Sequence, residues 1–133
     1  MKAADSFYKS ARWQRLRAMV LRRDGYQCQV TKRYGRRVEA TTVHHVFPRE
    51  EFPEYQWEPW NLISLAGDVH DEMHDRQSGA LTAKGVELLK RVARREGVKV
   101  PLRYRYAPRV RFFCQKIPVT GVARLFYTRA VFG

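Results

Sequence analysis

The sequence predicts a single domain of the α+β class. Residues 6–23 and 82–95 place apolar side chains at spacings of three and four, the period of a helix that packs on one face. Residues 38–47 and 62–65 are short and rich in Val, Thr, Ile and Leu, which is typical of strands. The chain has 133 residues, which suits one domain with a modest core and not two.

The first helix is predicted from Ser6 to Arg23. Asp24-Gly25 ends it, because a glycine commonly follows the last turn of a helix. Trp13 inside the helix and Tyr26 beyond it are predicted to be core residues rather than nucleic-acid contacts. The apolar positions of this helix are Phe7, Trp13, Leu16, Val20 and Leu21.

The predicted first strand, Val38 to Phe47, ends at Pro48, because proline cannot donate to a central ladder. An acidic and aromatic loop follows, and residues 62–65 form the predicted second strand. Gly67-Asp68 then begins another helix, in which Asp68 is the expected N-cap.

The helix predicted over 82–95 is bounded by Gly97 and Pro101. In the extension over 101–133, arginines first alternate with aromatic and β-branched residues, which predicts a strand. A later strand over 119–132 would pair with it to form a basic β-hairpin. A poorly ordered basic arm is the alternative.

Charge is distributed unevenly along the chain, whose net charge is +13 from 26 basic and 13 acidic residues. Residues 1–37 contain eleven basic residues against two acids, and the chain after Gly97 contains eight basic residues and no acid. Residues 38–76 contain nine acids and two arginines. Basic flanks around an acidic centre favour a nucleic-acid partner over a basic protein whose charges are only solvated. The candidate phosphate-binding residues are Arg12, Arg15, Arg22, Arg23, Arg103, Arg105, Arg109 and Arg111.

Two cysteines, Cys28 and Cys114, make no disulfide framework. The first residues contain no apolar signal-peptide segment, and no apolar run approaches the roughly 20 residues of a membrane span. We therefore expect a soluble, cytoplasmic protein with no membrane partner.

All four histidines lie between residues 44 and 74, a clustering that predicts a chemical site. His44 and His45 are adjacent on the predicted strand and point to opposite faces, so they cannot have the same role. His70 and His74 are one turn apart on the predicted helix, roughly 5–6 Å at Cβ, and could share an ion. An imidazole suits proton abstraction near neutral pH, and a divalent ion can neutralise charge on a phosphate.

The order His-His, Pro48, Asn61-Leu and His-x-x-x-His resembles the catalytic core of the HNH endonucleases, the ββα-metal nucleases. A single His-His or His-x-x-x-His pattern also arises from capping and packing, but the combination is hard to obtain that way. The implied organisation is an N-terminal helix over 6–24, a ββα-metal core over 38–76, a helix over 82–96 and a basic extension over 101–133.

The resemblance implies a role for each residue of the motif. His44 and His70 correspond to metal ligands and His45 to the general base. Asn61 corresponds to the residue that holds the hairpin carrying the base, although a simple turn or cap role is the alternative. His74 corresponds to the third histidine ligand of some relatives, the colicin-type nucleases among them.

The segment Trp13 to Cys28 is similar to the opening of phage-type HNH proteins and extends the resemblance to about residues 8–80. Many of these proteins bind a structural zinc through two Cys-x-x-Cys knuckles, which would fall at 28–31 and 66–69. Cys28 is the one cysteine of the four that is present, and a tetrahedral site needs four ligands. We therefore expect no structural zinc, with Cys28 buried and Val30, Ala66 and Val69 packing in its place.

The resemblance implies a metal-dependent DNA endonuclease that nicks or cuts both strands. One divalent ion is expected, Mg²⁺ or Mn²⁺ first, with Ni²⁺ or Zn²⁺ suited to three imidazoles. Similar phage and prophage proteins are encoded beside packaging genes, so the expected partners are DNA and packaging proteins such as terminase. The alternatives are a non-cleaving nucleic-acid-binding protein and a nuclease toxin with a delivery domain or immunity partner.

Overall fold

The computed structural model describes residues 6–105, in which six helices surround a two-stranded sheet. The helices are α1 Ser6–Lys9, α2 Ala11–Arg23, α3 Gln29–Arg33, α4 Gly67–Asp71, α5 Ala83–Glu96 and α6 Leu102–Arg105. The strands are β1 Thr42–His45 and β2 Leu62–Leu65, joined by a loop with 3₁₀ turns at Pro53–Tyr55 and Pro59–Asn61. This arrangement confirms the α+β class. The hairpin predicted beyond residue 105, with Arg109 and Arg111, lies outside the described residues.

The N-terminal helix is broken at Ser10, so the prediction of one continuous helix over 6–23 is wrong. Ser10 has an extended backbone and its hydroxyl accepts from the backbone N–H of Trp13 at 3.1 Å, which caps α2. The same hydroxyl donates to the carbonyl of Phe7 at 2.7 Å. A serine that can cap a new helix ends the old one, and α1 becomes a separate turn.

β1 and β2 are antiparallel, with His45 opposite Leu62. The first strand is shorter than the predicted 38–47. Glu39 forms only an isolated bridge, and the N–H of Phe47 is bound by the side chain of Asn61 instead of a neighbouring strand. The backbone therefore leaves the sheet after one further bond, from the N–H of Val46 to the carbonyl of Asn61 at 2.9 Å, whereas the predicted second strand over 62–65 is confirmed.

Asp24 and Arg23, at the end of α2, connect this helix to β2. Asp24 Oδ2 accepts from the N–H of Ser64 at 3.0 Å. The Arg23 guanidinium bonds Asp24 Oδ1 at 2.8 Å and donates to the carbonyls of Leu62 at 2.7 Å and Pro59 at 2.8 Å. These bonds fix the register between the helix and the strand.

The helix after β2 begins at Gly67, as predicted, but its N-cap differs from the prediction. Ala66 is its N-cap and Asp68 lies in its first turn, so the expected cap role of Asp68 is wrong. Asp68 Oδ1 instead accepts from the N–H of the next residue, Val69, at 2.9 Å. The helix ends at Asp71, and the chain turns before His74.

The predicted helix over 82–95 is confirmed as α5. The hydroxyl of Thr82 accepts from the N–H of Gly85 at 3.3 Å, and Gly97 ends the helix with φ of 71°. Thr82 also donates to the carbonyl of Glu72 at 2.6 Å. The N-terminus of α5 therefore holds the segment just before His74.

Apolar side chains form two clusters. One contains Trp13, Val20, Val43 and Leu62 and joins α2 to the sheet. The larger one joins α5 to the sheet and to Phe47. These clusters are the core on which the site is built.

Cys28 is buried with a free thiol in the larger cluster. Ala66 belongs to the same cluster, and Val30 and Val69 pack against it. The segments 28–31 and 66–69, where the resemblance would put zinc knuckles, thus contribute apolar packing here. The absence of a structural zinc stays a prediction.

Two other expectations are wrong. Leu102–Arg105 is a helical turn and not the start of a strand, because Tyr104 is buried and its hydroxyl donates to Glu51 Oε2 at 2.5 Å. Tyr26 is 53% exposed and not core, since it turns outward with φ of 57° directly after Gly25. None of the helices within 6–105 has both the length and the apolar character that crossing a bilayer requires.

Candidate metal centre and active-site cleft

Three imidazoles converge from separate elements. His44 lies on β1, His70 on α4 and His74 in the turn after α4. The ring centroids are 5.3 Å apart for His44 and His70, 5.2 Å for His44 and His74, and 5.7 Å for His70 and His74. One ring nitrogen from each lies within 4.8 Å of the others. At a metal–nitrogen distance of ~2.1 Å, tetrahedral ligand nitrogens lie about 3.4 Å apart, so these nitrogens need to approach one another by at most about 1.4 Å to share an ion.

His44 is the buried member of this cluster, with 2% of its surface exposed. Burial, followed by the neighbouring histidines His70, His74 and His45, lowers its pKa well below the usual value. Its Nε2 is buried without a hydrogen-bond partner in residues 6–105. A neutral imidazole with an unsatisfied buried nitrogen is a group that a cation would complete.

His70 and His74 are more accessible. Burial, and then the nearby His74, lower the pKa of His70, and Asp71 partly opposes this. His74 Nδ1 lies 3.2 Å from the carbonyl of Gly79. A proton on Nδ1 makes this a hydrogen bond and leaves Nε2 as the ligand nitrogen, the arrangement in which a backbone carbonyl fixes the tautomer of a metal ligand.

His45 faces away from this cluster. Its Nε2 lies 3.1 Å from the carbonyl of Gln56, and its ring stacks on Trp13 with centroids 5.2 Å apart and an interplanar angle of 19°. Because a carbonyl only accepts, Nε2 carries the proton and Nδ1 the lone pair. Burial lowers the pKa of His45, against the Gln56 carbonyl and Glu50, which raise it.

Comparison with known proteins gives one informative relative. The chain is similar to the crystal structure of the HNH endonuclease of the deep-sea thermophilic bacteriophage GVE2, solved with a manganese ion. The two sequences are 32% identical over 50% of this chain and 72% of that chain, with a TM-score of 0.49. No protein-family model and no curated protein matches the sequence. The sequence identity over most of the relative decides the family. The chain belongs to the HNH endonucleases.

The asparagine of the HNH motif, Asn61, is fully buried and binds backbone groups only. Its Oδ1 accepts from the N–H of Phe47 at 2.7 Å, and its Nδ2 donates to the carbonyls of Phe47 at 3.2 Å and Tyr55 at 3.1 Å. Asn61 therefore clamps the two ends of the loop that follows β1. The same loop supplies the Gln56 carbonyl to His45.

An open cleft of about 630 Å³ brings the motif residues together. Its lining includes all four histidines of the HNH motif region. Two arginines that the sequence analysis missed, Arg17 and Arg49, also line it. Arg17 donates to the carbonyl of Thr41 at 2.8 Å, and the Arg49 guanidinium lies 4.4 Å from the centroid of the Phe7 ring. Arg17 shares the basic helix of the predicted residues, and Arg49 closely follows the histidine pair, so both signals were present in the sequence.

The predicted phosphate-binding arginines of α2 differ in their surroundings. Arg12, Arg15 and Arg22 are exposed, and the Arg12 guanidinium lies 4.0 Å from the Trp57 ring centroid. Arg23 is occupied by Asp24 and by two backbone carbonyls, as described above.

The two predicted arginines of α6 both bond within the protein. Arg103 forms an ion pair with Glu51. Arg105 Nε donates to the carbonyl of Val100 at 2.8 Å. Neither lines the cleft within the described part of the chain.

His74 differs from the expectation of a ligand one helical turn after His70. α4 ends before it, and His74 pairs in an isolated bridge with Leu81. Its position depends on the turn over 75–79, in which the hydroxyl of Ser78 donates to Asp75 Oδ2 at 2.7 Å. The cluster therefore forms through a tertiary turn and not through helical periodicity.

Proposed function

We propose that this protein is a metal-dependent endonuclease that hydrolyses phosphodiester bonds in DNA. The observation that supports this most strongly is the cluster of His44, His70 and His74 beside a separately held His45, all on one cleft. The net charge of +13 favours a polyanionic substrate.

His45 is the general base in this proposal. Its Nε2–H is held by the Gln56 carbonyl, so Nδ1 is the nitrogen that accepts a proton from the attacking water. The lowered pKa of His45 keeps the ring neutral, and hence able to accept, at neutral pH. Asn61 acts through the loop that carries the Gln56 carbonyl and is a positioning residue.

His44, His70 and His74 would hold the ion. When bound, a divalent cation supplies positive charge to the phosphate and to the departing oxygen. Three neutral imidazoles suit Ni²⁺ or Zn²⁺, whereas oxygen ligands suit Mg²⁺ and Mn²⁺. We propose Mn²⁺ as the working ion because it is the ion present in the crystal structure of the phage GVE2 relative.

Arginines in the cleft and on α2 would bind the DNA backbone. Arg17 and Arg49 line the cleft and are placed to contact the phosphates next to the scissile bond. The exposed arginines of α2 would contact phosphates further away. We assign structural roles to Arg23 and Arg103, because their guanidinium groups already bind carboxylates of the protein.

Cleavage of supercoiled plasmid in a series of Mg²⁺, Mn²⁺, Ni²⁺ and Zn²⁺, with EDTA as the metal-free control, tests this function. Mn²⁺ should support nicking or linearisation, and EDTA should abolish it. His45→Ala should lower the rate by roughly 10²–10⁴-fold, the range for loss of a positioned base, with Mn²⁺ affinity unchanged. Binding of DNA without cleavage under every ion would instead identify a non-cleaving binding protein.

The DNA contacts have a separate test. Changing Arg12, Arg15 and Arg22 together to Gln should reduce the slope of log K against log salt by about two to three units, at about 0.9 for each phosphate contact. Arg23→Gln is the matched control, which should lower thermal stability and leave the slope unchanged. An unchanged slope in the triple variant would remove α2 from the DNA interface.

We propose that this is a phage or prophage protein that works beside packaging proteins such as terminase. This biological setting rests on the resemblance of residues 13–28 to phage HNH proteins. Co-purification of this chain with terminase from phage-infected cells tests it. Recovery of the chain without terminase would refute the partnership and leave the nuclease proposal intact.

A further inference from the structure

The imidazole of His45 is enclosed by aromatic rings from the N-terminal segment. Trp13 stacks on it, Phe7 lies 5.7 Å away and Tyr8 6.3 Å away between ring centroids. His44, the preceding residue, has only imidazole neighbours among the ring contacts of the described chain. We call Phe7, Tyr8 and Trp13 the aromatic wall. The wall contacts the candidate base and not the candidate ligands.

One hydrogen bond does not fix the orientation of an imidazole. The torsion between Cβ and the ring is broad and roughly two-fold, so the ring can turn about the bond that holds it. The Gln56 carbonyl determines where Nε2 lies, at 3.1 Å. A flat surface parallel to the ring is needed to determine the plane, and Trp13 supplies one at an interplanar angle of 19°.

Trp13 is itself rigidly held. It is 4% exposed and packs in the cluster that joins α2 to the sheet. Its backbone N–H is bound by Ser10 at the start of α2. On the other side of the wall, Phe7 packs against Trp57 with centroids 4.4 Å apart. The orientation of Trp13 is therefore set by the core and transmitted to His45.

We propose that Trp13 is a positioning residue for the base: it holds the His45 ring so that Nε2–H stays on Gln56 and Nδ1 is presented to the cleft. No residue within 6–105 hydrogen-bonds Nδ1, so this nitrogen is left for a water molecule. The role in catalysis rests on the proposed nuclease function. The orientation of the ring does not, and it can be measured separately.

The test compares Trp13→Leu, which removes the aromatic face, with Trp13→Phe, which keeps one. Trp60→Leu is the matched control, because it removes an indole from the larger cluster, where Trp60 contacts Phe47 and Tyr55 instead of His45. Each variant is assayed for kcat and KM on plasmid DNA at saturating Mn²⁺ and for Mn²⁺ affinity by calorimetry. Its imidazole tautomers are measured by ¹⁵N NMR at about pH 8, where histidines are neutral.

Trp13→Leu should lose roughly 10- to 100-fold in kcat, the scale for a misplaced catalytic group, with KM and Mn²⁺ affinity unchanged. Its His45 spectrum should change from a single Nε2–H tautomer to a mixture of both. Trp13→Phe should retain most of kcat and the single Nε2–H tautomer. Trp60→Leu should lose stability but retain the wild-type kcat and the single tautomer.

Three results would overturn the proposal: an unchanged kcat and tautomer in Trp13→Leu, an equal loss in Trp13→Phe, or an equal loss in Trp60→Leu. If Trp13→Leu is unfolded, Trp13→Met replaces it, because methionine fills more of the volume of the indole and still presents no flat face. An unchanged tautomer and kcat in that variant would likewise exclude the role of Trp13. If the wild type cleaves no DNA with any ion, the nuclease proposal fails, and the NMR comparison alone decides whether Trp13 orients His45.

Discussion

Asn61→Ala should cost this protein a large part of its stability. The substitution removes three hydrogen bonds, two to the backbone of Phe47 and one to the carbonyl of Tyr55. The Tyr55 carbonyl keeps a second donor, the N–H of Glu58 at 3.2 Å. The N–H and C=O of Phe47 are left unsatisfied. A buried backbone group without a partner costs about 1–3 kcal/mol, so the two together cost roughly 2–6 kcal/mol.

A small domain has only about 5–15 kcal/mol of stability in total, so urea unfolding followed by circular dichroism will resolve this loss. Ser64→Ala is the control, since Ser64 is also fully buried but donates one long hydrogen bond, 3.5 Å to the carbonyl of Val20. It should lose about 1 kcal/mol, the value of an ordinary hydrogen bond. A loss below about 0.5 kcal/mol in Asn61→Ala, typical of a surface substitution, would refute the clamp.

Three further predictions concern the metal cluster and its support. His70→Ala should abolish calorimetric Mn²⁺ binding, and an unchanged affinity would remove His70 from the site. The pKa of His44 is lower in the folded protein than in the unfolded chain. The neutral ring therefore contributes its full stability to the metal-free protein above about pH 6.5, and this stability is lost as the pH falls toward the folded pKa. In EDTA, the melting temperature of the wild type should fall as the pH is lowered, and that of His44→Gln should fall less steeply. Equal dependence of the two melting temperatures on pH would contradict this prediction. Gly85→Ala should destabilise the protein by about 1–3 kcal/mol, because the added Cβ would lie 2.6 Å from the carbonyl oxygen of Met73. This clash outweighs the gain in helix propensity of about 1 kcal/mol. An unchanged melting temperature would exclude the clash.

The parts of the fold that were predicted from the sequence are those whose signals are local. α5 has Thr82 and Gly97 at the two ends of a clear helical period, and Gly97 ends the helix as predicted. The short apolar run of β2 was also bounded correctly. In each case the residues that end the element lie within one or two positions of it.

The errors arise where a side chain from elsewhere decides the local structure. β1 stops at His45 because the chain turns at Phe47, where the side chain of Asn61, fourteen residues later, binds both the N–H and the C=O of the backbone. Leu102–Arg105 is helical because Tyr104 reaches Glu51, and no alternation pattern contains that contact. The break at Ser10 is different: its capping residue was visible, but the helical period continued through it.

A residue that is predicted to be buried in the core can still have a role in the site. Trp13 was expected in the core, and at 4% exposed it is there. The same burial makes it rigid, and a rigid flat surface is what a histidine on a single hydrogen bond needs in order to keep its orientation. Periodicity can identify the face of α2 that is buried, but it cannot identify which ring that face meets, because His45 is thirty-two residues away in sequence. Residues that place a catalytic group are therefore found among predicted core positions, once tertiary contacts show what each of them touches.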